Sequence, residues 1–138
     1  MAPTMPSILL LLVEDEAVIM EILEEALTES GFDVDKASNG TKALKKIDAG
    51  ASKIRAVITD IKLGAGPDGW AVARHAREIS PNMPIVYMSG DSAHEWASQG
   101  VPGSIMLAKP FAPAQLVTAV ATLVTEADMQ TPPATNNG

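Results

Sequence analysis

Short apolar runs alternate with segments of helical periodicity along most of this sequence, and that alternation limits the fold more than any other feature. The five runs lie at 8–13, 32–37, 55–59, 84–88 and 104–108. Strands that alternate with helices form parallel sheets covered by helices on both faces. The sequence therefore predicts an α/β fold, a doubly wound (βα)5 sandwich with a five-stranded parallel sheet.

The segments between the runs repeat apolar residues every three or four positions, as helices packed on one face do. Helices are predicted over 17–28, 41–49, 69–79, 92–99 and 113–125. The predicted inward residues are Ile19, Ile22, Leu23, Ala26 and Leu27; Ala43, Leu44 and Ile47; Val72, Ala73, Ala76 and Ile79; and Leu116, Val117, Val120, Leu123 and Val124.

One domain over 8–126 accommodates this pattern, and the Pro- and polar-rich ends, 1–7 and 127–138, are predicted to be flexible. Since no output domain follows, the domain is expected to stand alone. No apolar run approaches the roughly 20 residues of a membrane span, and no secretory signal is visible. A cytoplasmic protein without a membrane contact is therefore expected.

The charge balance and the missing cysteines exclude several functions. The formal net charge is -7, from 10 Lys and Arg against 17 Asp and Glu, which argues against a nucleic-acid-binding surface. The absence of cysteine excludes disulfides, thiol catalysis and Cys-ligated zinc.

Chemically active residues stand where the predicted strands end. Glu14 and Asp15 follow the first strand, Asp60 the third, Ser89 the fourth and Lys109 the fifth. In doubly wound folds, ligands bind outside the carboxyl ends of the strands, so these side chains are expected to converge.

Three converging carboxylates repel one another unless a cation joins them. Hard oxygen ligands suit Mg2+, which prefers a few carboxylates together with phosphate oxygens and water. A carboxylate beside such an ion can attack a phosphoryl group, while a lysine and a hydroxyl stabilise the charge on its oxygens. The strand ends therefore predict phosphoryl chemistry with Mg2+.

The segments LLVEDE, VITDIKLG, YMSGD and AKPF resemble, in order and spacing, the receiver-domain signature of two-component response regulators, whose fold is flavodoxin-like. The resemblance covers roughly 8–125. It implies that Asp60 is the phosphoacceptor. It also implies that Mg2+ is bound by Asp15 and Asp60 directly, by Glu14 through water, and by the backbone carbonyl of Lys62.

The resemblance assigns the remaining strand-end residues as well. Ser89 donates its hydroxyl to a phosphoryl oxygen, and Lys109, joined to Pro110 by a cis bond, pairs with the carboxylate or the phosphoryl group. The implied donor is a phosphohistidine on a sensor histidine kinase or a phosphotransfer protein. The chain is therefore expected to be a signalling domain, monomeric or weakly dimeric, that acts through protein contacts. It is expected to catalyse only its own phosphorylation and dephosphorylation.

Two positions depart from the family pattern, and two others suggest an ion pair. Gly64 replaces the usual proline in a loop one residue longer than in chemotaxis-type receivers, and Met106 replaces the usual aromatic switch residue. Lys62 and Asp91 occupy the positions that tune hydrolysis of the acyl phosphate in the family, and their side chains are expected either to form an ion pair or to remain separately solvated.

Three other functions fit parts of the sequence. A phosphorelay shuttle would use the same site. The motif at 64–69 matches the G-x-G-x-x-G of nucleotide-binding domains, but it follows the third strand instead of the first. An aspartyl phosphatase usually has an Asp-x-Asp pair, and Lys62 occupies the second position here. His75 and His94 lie on predicted helices without the partner spacing of a metal motif such as HExxH, and both are predicted to be surface residues. Trp70 and Trp96 are predicted to be packing or partner-surface residues.

Overall fold

The computed structural model describes residues 7–130, and these form one parallel sheet covered by helices on both faces. The strands are β1 Ile8–Val13, β2 Phe32–Ala37, β3 Ile54–Asp60, β4 Ile85–Ser89 and β5 Ile105–Ala108. All neighbouring strands are parallel, in the order β2-β1-β3-β4-β5. The predicted doubly wound (βα)5, flavodoxin-like fold is confirmed.

The helices are α1 Ala17–Glu29, α2 Gly40–Gly50, α3 Gly69–Ile79, α4 Trp96–Gln99 and α5 Pro113–Gln130, with a 3-10 turn at Ala93–Glu95 before α4. The helix predicted over 92–99 is therefore a turn joined to a very short helix. Helix α5 ends at Gln130, whereas the sequence predicted its end at 125, and Asp128 in this extension forms an ion pair with Arg55 at the start of β3. The other parts of the predicted flexible ends, 1–6 and 131–138, lie outside the described residues.

The alternating side chains of the strands form two cores, one on each face of the sheet. Leu11, Val13, Val57 and Tyr87 pack against α2 and α3. On the other face, the buried residues of the strands and helices include Leu10, Leu12, Ile58, Met88, Leu23, Leu27, Leu116 and Val120. Within residues 7–130, no helix is long and apolar enough to cross a membrane.

Two predicted inward residues point outward instead. Ile22 of α1 is 51% exposed and Ile79 of α3 is 46% exposed, whereas Met20, which was not predicted to face inward, is buried. Helix α1 has two adjacent apolar stripes, and the stripe through Met20, Leu23 and Leu27 is the one that packs on the sheet. Ile79 is the last residue of α3, beside the exposed residues at 81 and 82.

The winding reverses between β1 and β3, since β2 lies on one side of β1 and β3, β4 and β5 on the other. Backbone hydrogen bonds continue the sheet ladder past the strand ends. The amides of Glu14, Ile61 and Lys109 donate to the carbonyls of Ala37 (3.1 Å), Met88 (3.1 Å) and Ser89 (2.7 Å). The residues that follow β1, β3 and β5 are thereby fixed at one edge of the sheet, beside the reversal where ligands bind.

Candidate phosphoacceptor and metal site

Asp60, the last residue of β3, is held at both carboxylate oxygens. It is 8% exposed. Its Oδ1 accepts a hydrogen bond from the Ile61 amide at 2.9 Å, and its Oδ2 accepts one from Lys109 Nζ at 3.0 Å. A backbone amide and an ammonium therefore set the orientation of this carboxylate.

Glu14, Asp15 and Asp60 each place a carboxylate oxygen within 4.8 Å of the others. Asp15 is exposed, whereas Glu14 is almost completely buried. Among residues 7–130 this is the one group of three or more such side chains that could hold a metal ion. Its all-oxygen donors fit Mg2+, and the exposed position of Asp15 leaves room for the waters that this ion keeps.

The pKa of Glu14 is raised above its ordinary value. Burial raises it to about 7, whereas the hydrogen bond that the Glu16 amide donates to Oε2 at 3.1 Å lowers it. The negative charge of Asp60 raises this pKa further, and Lys109 lowers it. A cation bound among the three carboxylates would favour the ionised form of Glu14.

Lys109 brings positive charge into this acidic group. Its ammonium contacts Glu14 Oε1 at 3.3 Å as well as Asp60. Burial opposes the charged form of Lys109, but the hydrogen bonds and charges of Asp60 and Glu14 outweigh it and raise the pKa of the ammonium. The Lys109–Pro110 peptide bond is cis, as the family resemblance predicted.

Ser89 ends β4 beside this group but points its oxygen toward its own loop. Its Oγ accepts hydrogen bonds from the amides of Ser92 (2.7 Å) and Asp91 (3.3 Å). A hydroxyl accepts twice and donates once, so its proton stays available for another acceptor. Within the described residues, no hydrogen bond joins Ser89 to Asp60.

Lys62 reaches outward to the same loop. Its Nζ lies 2.7 Å from Asp91 Oδ2, so the two side chains form an ion pair, with both largely exposed. The role of the Lys62 backbone carbonyl in binding a metal remains a prediction.

The glycines of the loop after β3 explain the departure at position 64. Gly64 and Gly66 have φ of 76° and 91°, and proline cannot adopt such values. A Cβ on Gly69 would lie 2.1 Å from the Asp60 carbonyl oxygen, so the loop is packed directly against the residue it follows. The G-x-G-x-x-G match thus lies in the loop after β3. A nucleotide-binding motif of this kind follows the first strand, so its position does not support the nucleotide-binding hypothesis.

The histidines and tryptophans outside the site have different surroundings. The His75 side chain is 29% exposed and its Nε2 lies 2.6 Å from Asp48 Oδ1 on α2, whereas the His94 side chain is 77% exposed, as predicted for a surface residue. Trp70 is buried against Tyr87, with ring centroids 4.7 Å apart. Trp96 is 39% exposed, and its indole N–H donates to Ser104 Oγ at 2.9 Å.

Several contacts around the site have no signal in the sequence. The Tyr87 hydroxyl accepts a hydrogen bond from the Val101 amide at 3.0 Å, which ties the turn before β5 to β4. Tyr87 lies beside Met106 in the sheet register. The pattern of residues predicted neither this contact nor the amides that hold Asp60 and Ser89, because each depends on a loop conformation.

Comparison with known proteins gives one family throughout. The family model for the response regulator receiver domain matches residues 10–121. A response regulator receiver protein from Sinorhizobium medicae WSM419 has a similar crystal structure, with a TM-score of 0.85 and 52% identity over 88% of this chain and 97% of that one. A CheY-like receiver domain protein from Methanospirillum hungatei JF-1 has the same fold at 22% identity, with a TM-score of 0.80 and coverage of 91% of this chain and 100% of that one.

A curated relative extends beyond the matched region. The transcriptional regulatory protein CusR of Escherichia coli K12 is 37% identical over 119 residues, which are 83% of this chain and 50% of CusR. The chain thus spans about half the length of this relative. The predicted stand-alone organisation and the absence of a nucleic-acid partner therefore remain predictions.

Proposed function

Because this chain belongs to the response regulator receiver domain family, we propose that it accepts a phosphoryl group on Asp60 from a phosphohistidine of a sensor kinase or phosphotransfer protein. The observation that carries the proposal is the contact of one lysine, Lys109, with both Asp60 and Glu14 in a group of three carboxylates. Such a group attracts a divalent cation and presents one oriented carboxylate to a phosphoryl group.

The residues of this chain have distinct parts in the transfer. An Asp60 carboxylate oxygen forms the bond to phosphorus, and the bond from phosphorus to the donor imidazole breaks. Lys109 holds Asp60 and offsets negative charge on the phosphoryl oxygens. The hydroxyl of Ser89 donates a hydrogen bond to one of these oxygens. Mg2+ held by Glu14, Asp15, Asp60 and the carbonyl of Lys62 would supply further charge neutralisation.

In this proposal the chain catalyses only its own phosphorylation and dephosphorylation, in the cytoplasm, and signals through protein contacts.

Incubation with acetyl phosphate and Mg2+ tests whether Asp60 is the phosphoacceptor, with intact mass as the readout. A single adduct of about 80 Da is expected on the native chain and on Asp33→Asn, but none on Asp60→Asn or with a chelator present. Asp33 is the matched control because it is an exposed aspartate on β2. An adduct that persists on Asp60→Asn contradicts the assignment.

A further inference from the structure

The first residue of α2, Gly40, lies against the loop that carries the predicted metal-binding carbonyl of Lys62. This loop, 61–68, connects β3 to α3. A Cβ on Gly40 would lie 2.0 Å from the Pro67 carbonyl oxygen, 2.8 Å from the carbonyl carbon and 2.9 Å from the Pro67 Cβ. Two of these atoms belong to the backbone, so no rotation of a side chain could make room. The absence of a side chain at Gly40 therefore lets the loop pack directly on α2.

The end of this loop is tied to its start. The Gly69 amide donates a hydrogen bond at 2.8 Å to the carbonyl oxygen of Ile61, which belongs to the peptide unit that joins Ile61 to Lys62. A Cβ on Gly69 would also lie 2.8 Å from the Ile61 Cα. Asp68, the preceding residue, caps α3 by accepting a hydrogen bond from the Ala71 amide at 2.9 Å. A displacement of the loop on its α2 side would therefore reach Lys62 within a few closely packed residues.

Burial fixes the start of the loop as well. Ile61 and Leu63 are each 3% exposed and belong to the same apolar core as the inward residues of α2 and α3. Lys62 lies between them with its side chain in solvent. The position of the Lys62 carbonyl thus depends on its buried neighbours and on the packing of the loop, and not on its own side chain.

We propose that Gly40 is a positioning residue for Mg2+, because its close contact with Pro67 holds the carbonyl of Lys62 where an octahedral ion can use it. This inference rests on the proposed function and adds a residue of α2 to the strand-end ligands. Mg2+ demands nearly ideal octahedral geometry, whereas Ca2+ accepts variable geometry and longer distances. A displaced carbonyl should therefore weaken the binding of Mg2+ more than that of Ca2+.

Gly40→Ala and Gly50→Ala are a matched pair of variants for this test. Both glycines lie on α2, neither has a positive φ, and both substitutions add a methyl group that favours a helix. A Cβ on Gly50 would meet nothing within 4 Å. Titrations with Mg2+ alone and with Ca2+ alone, followed by NMR, give the two dissociation constants of each variant. The carbonyl-carbon shift of Lys62 reports whether this group meets the ion, and urea unfolding measures stability separately.

Gly40→Ala is expected to weaken Mg2+ binding by about tenfold or more, as is typical when a residue that orients a metal ligand is replaced, and Ca2+ binding by no more than about threefold. Gly50→Ala should keep both native affinities. A variant that only loses stability would lower the two affinities by the same factor, because only the folded fraction binds. Equal losses for the two ions, or a native Mg2+ affinity in Gly40→Ala, overturn the proposal.

Pro67→Gly decides the matter if Gly40→Ala does not fold. This variant removes the ring and the fixed φ that hold the loop beside Gly40, and it introduces no clash. The ratio of Mg2+ affinity to Ca2+ affinity should fall by about threefold, as expected when the backbone of one residue gains freedom. An unchanged ratio overturns the proposal.

Failure of the proposed function gives a different result, since acetyl phosphate then leaves Asp60 unlabelled while the titrations still measure the effect of Gly40. If the native chain is labelled on Asp60 but Mg2+ does not shift the carbonyl carbon of Lys62, the proposed function stands and the role of Gly40 is overturned.

Discussion

Lys109 and Lys62 both contact a carboxylate at the carboxyl edge of the sheet, at 3.0 Å from Asp60 and 2.7 Å from Asp91. The shorter contact is the more exposed one. The Lys62 and Asp91 side chains are 71% and 65% exposed, whereas the side chain of Lys109 is 24% exposed and the side chains of its partners Glu14 and Asp60 are 0% and 11% exposed. Water and salt screen the first pair, and the second pair is shielded from both.

We expect burial, rather than distance, to decide which of the two pairs controls the chemistry. Removing Lys109 would leave two buried carboxylates without their cation, which is the costly way to break an ion pair. Removing Lys62 would leave an aspartate that water solvates.

The rate of phosphorylation should distinguish the two pairs most clearly when each lysine is replaced by alanine. We expect Lys109→Ala to slow phosphorylation by acetyl phosphate by about a hundredfold or more, which is typical for the loss of one preorganised charge at a reacting group. Lys62→Ala is the matched control, and its rate should stay within about threefold of the native rate. The rates follow from intact mass against time, and equal slowing in the two variants would refute the comparison.

Mg2+ affinity should depend on Asp15 but not on Asp91, although both are exposed aspartates at the same edge. Asp15 belongs to the group of three carboxylates, so Asp15→Ala should weaken Mg2+ binding by about tenfold or more, the largest effect of any single acid in the group. Asp91→Ala should leave the affinity nearly unchanged. Titration followed by NMR or tryptophan fluorescence measures this, and native affinity in Asp15→Ala would contradict the predicted ligand set.

Stability without Mg2+ should depend on pH through Glu14. Because its pKa is raised from 4.5 to about 7, the folded state holds a proton between these pH values that the unfolded state has lost. Stability should therefore fall as the pH rises from about 4.5 to about 7, by up to about 3 kcal/mol.

Glu14→Gln should flatten that fall, and Asp91→Asn should leave it in place. The pKa of Asp91 is lowered by its hydrogen bond from Lys62, so its titration lies below this pH window. Urea unfolding at several pH values with a chelator present measures the slope. Parallel curves for the native chain and Glu14→Gln across the window would show that Glu14 does not hold a proton in the folded state there.

The sequence predicted that the side chains of the site lie close together, because the topology of the sheet brings the strand ends to one edge. Once five parallel strands are read from the apolar runs, Glu14, Asp15, Asp60 and Lys109 must meet at one edge. The same topology brings Lys62 and Asp91 near each other, in the loops after β3 and β4, which are adjacent strands.

The errors arose where a residue's environment depends on distant parts of the chain. Periodicity shows that α1 is apolar on two adjacent stripes, but only packing decides that Ile22 faces outward. The polar end of α5 shows no apolar periodicity, so the helix was predicted to end at 125; Asp128 in its last turns forms an ion pair with Arg55, which lies 73 residues away in the sequence.

The lifetime of the phosphorylated state should show the smallest effect, and it is the one process in which the exposed pair matters. Lys62 and Asp91 bridge the two loops that leave β3 after Asp60 and β4 after Ser89. We expect this bridge to lie across the approach from solvent to a phosphoryl group on Asp60. Hydrolysis needs a water molecule in line with the phosphorus–oxygen bond, and a bridge between these loops obstructs that water.

We expect Lys62→Ala and Asp91→Ala each to speed autodephosphorylation by about two- to fivefold, and the double variant to decay no faster than the faster single variant, because the two side chains act as one unit. High salt should accelerate the native protein and leave the double variant unchanged, since salt screens only an intact exposed pair. Decay of the mass adduct after removal of the donor, timed for all four forms, measures this. Unchanged or slower decay in both single variants would show that water reaches the acyl phosphate by another route, and the role of Asp60 would stand.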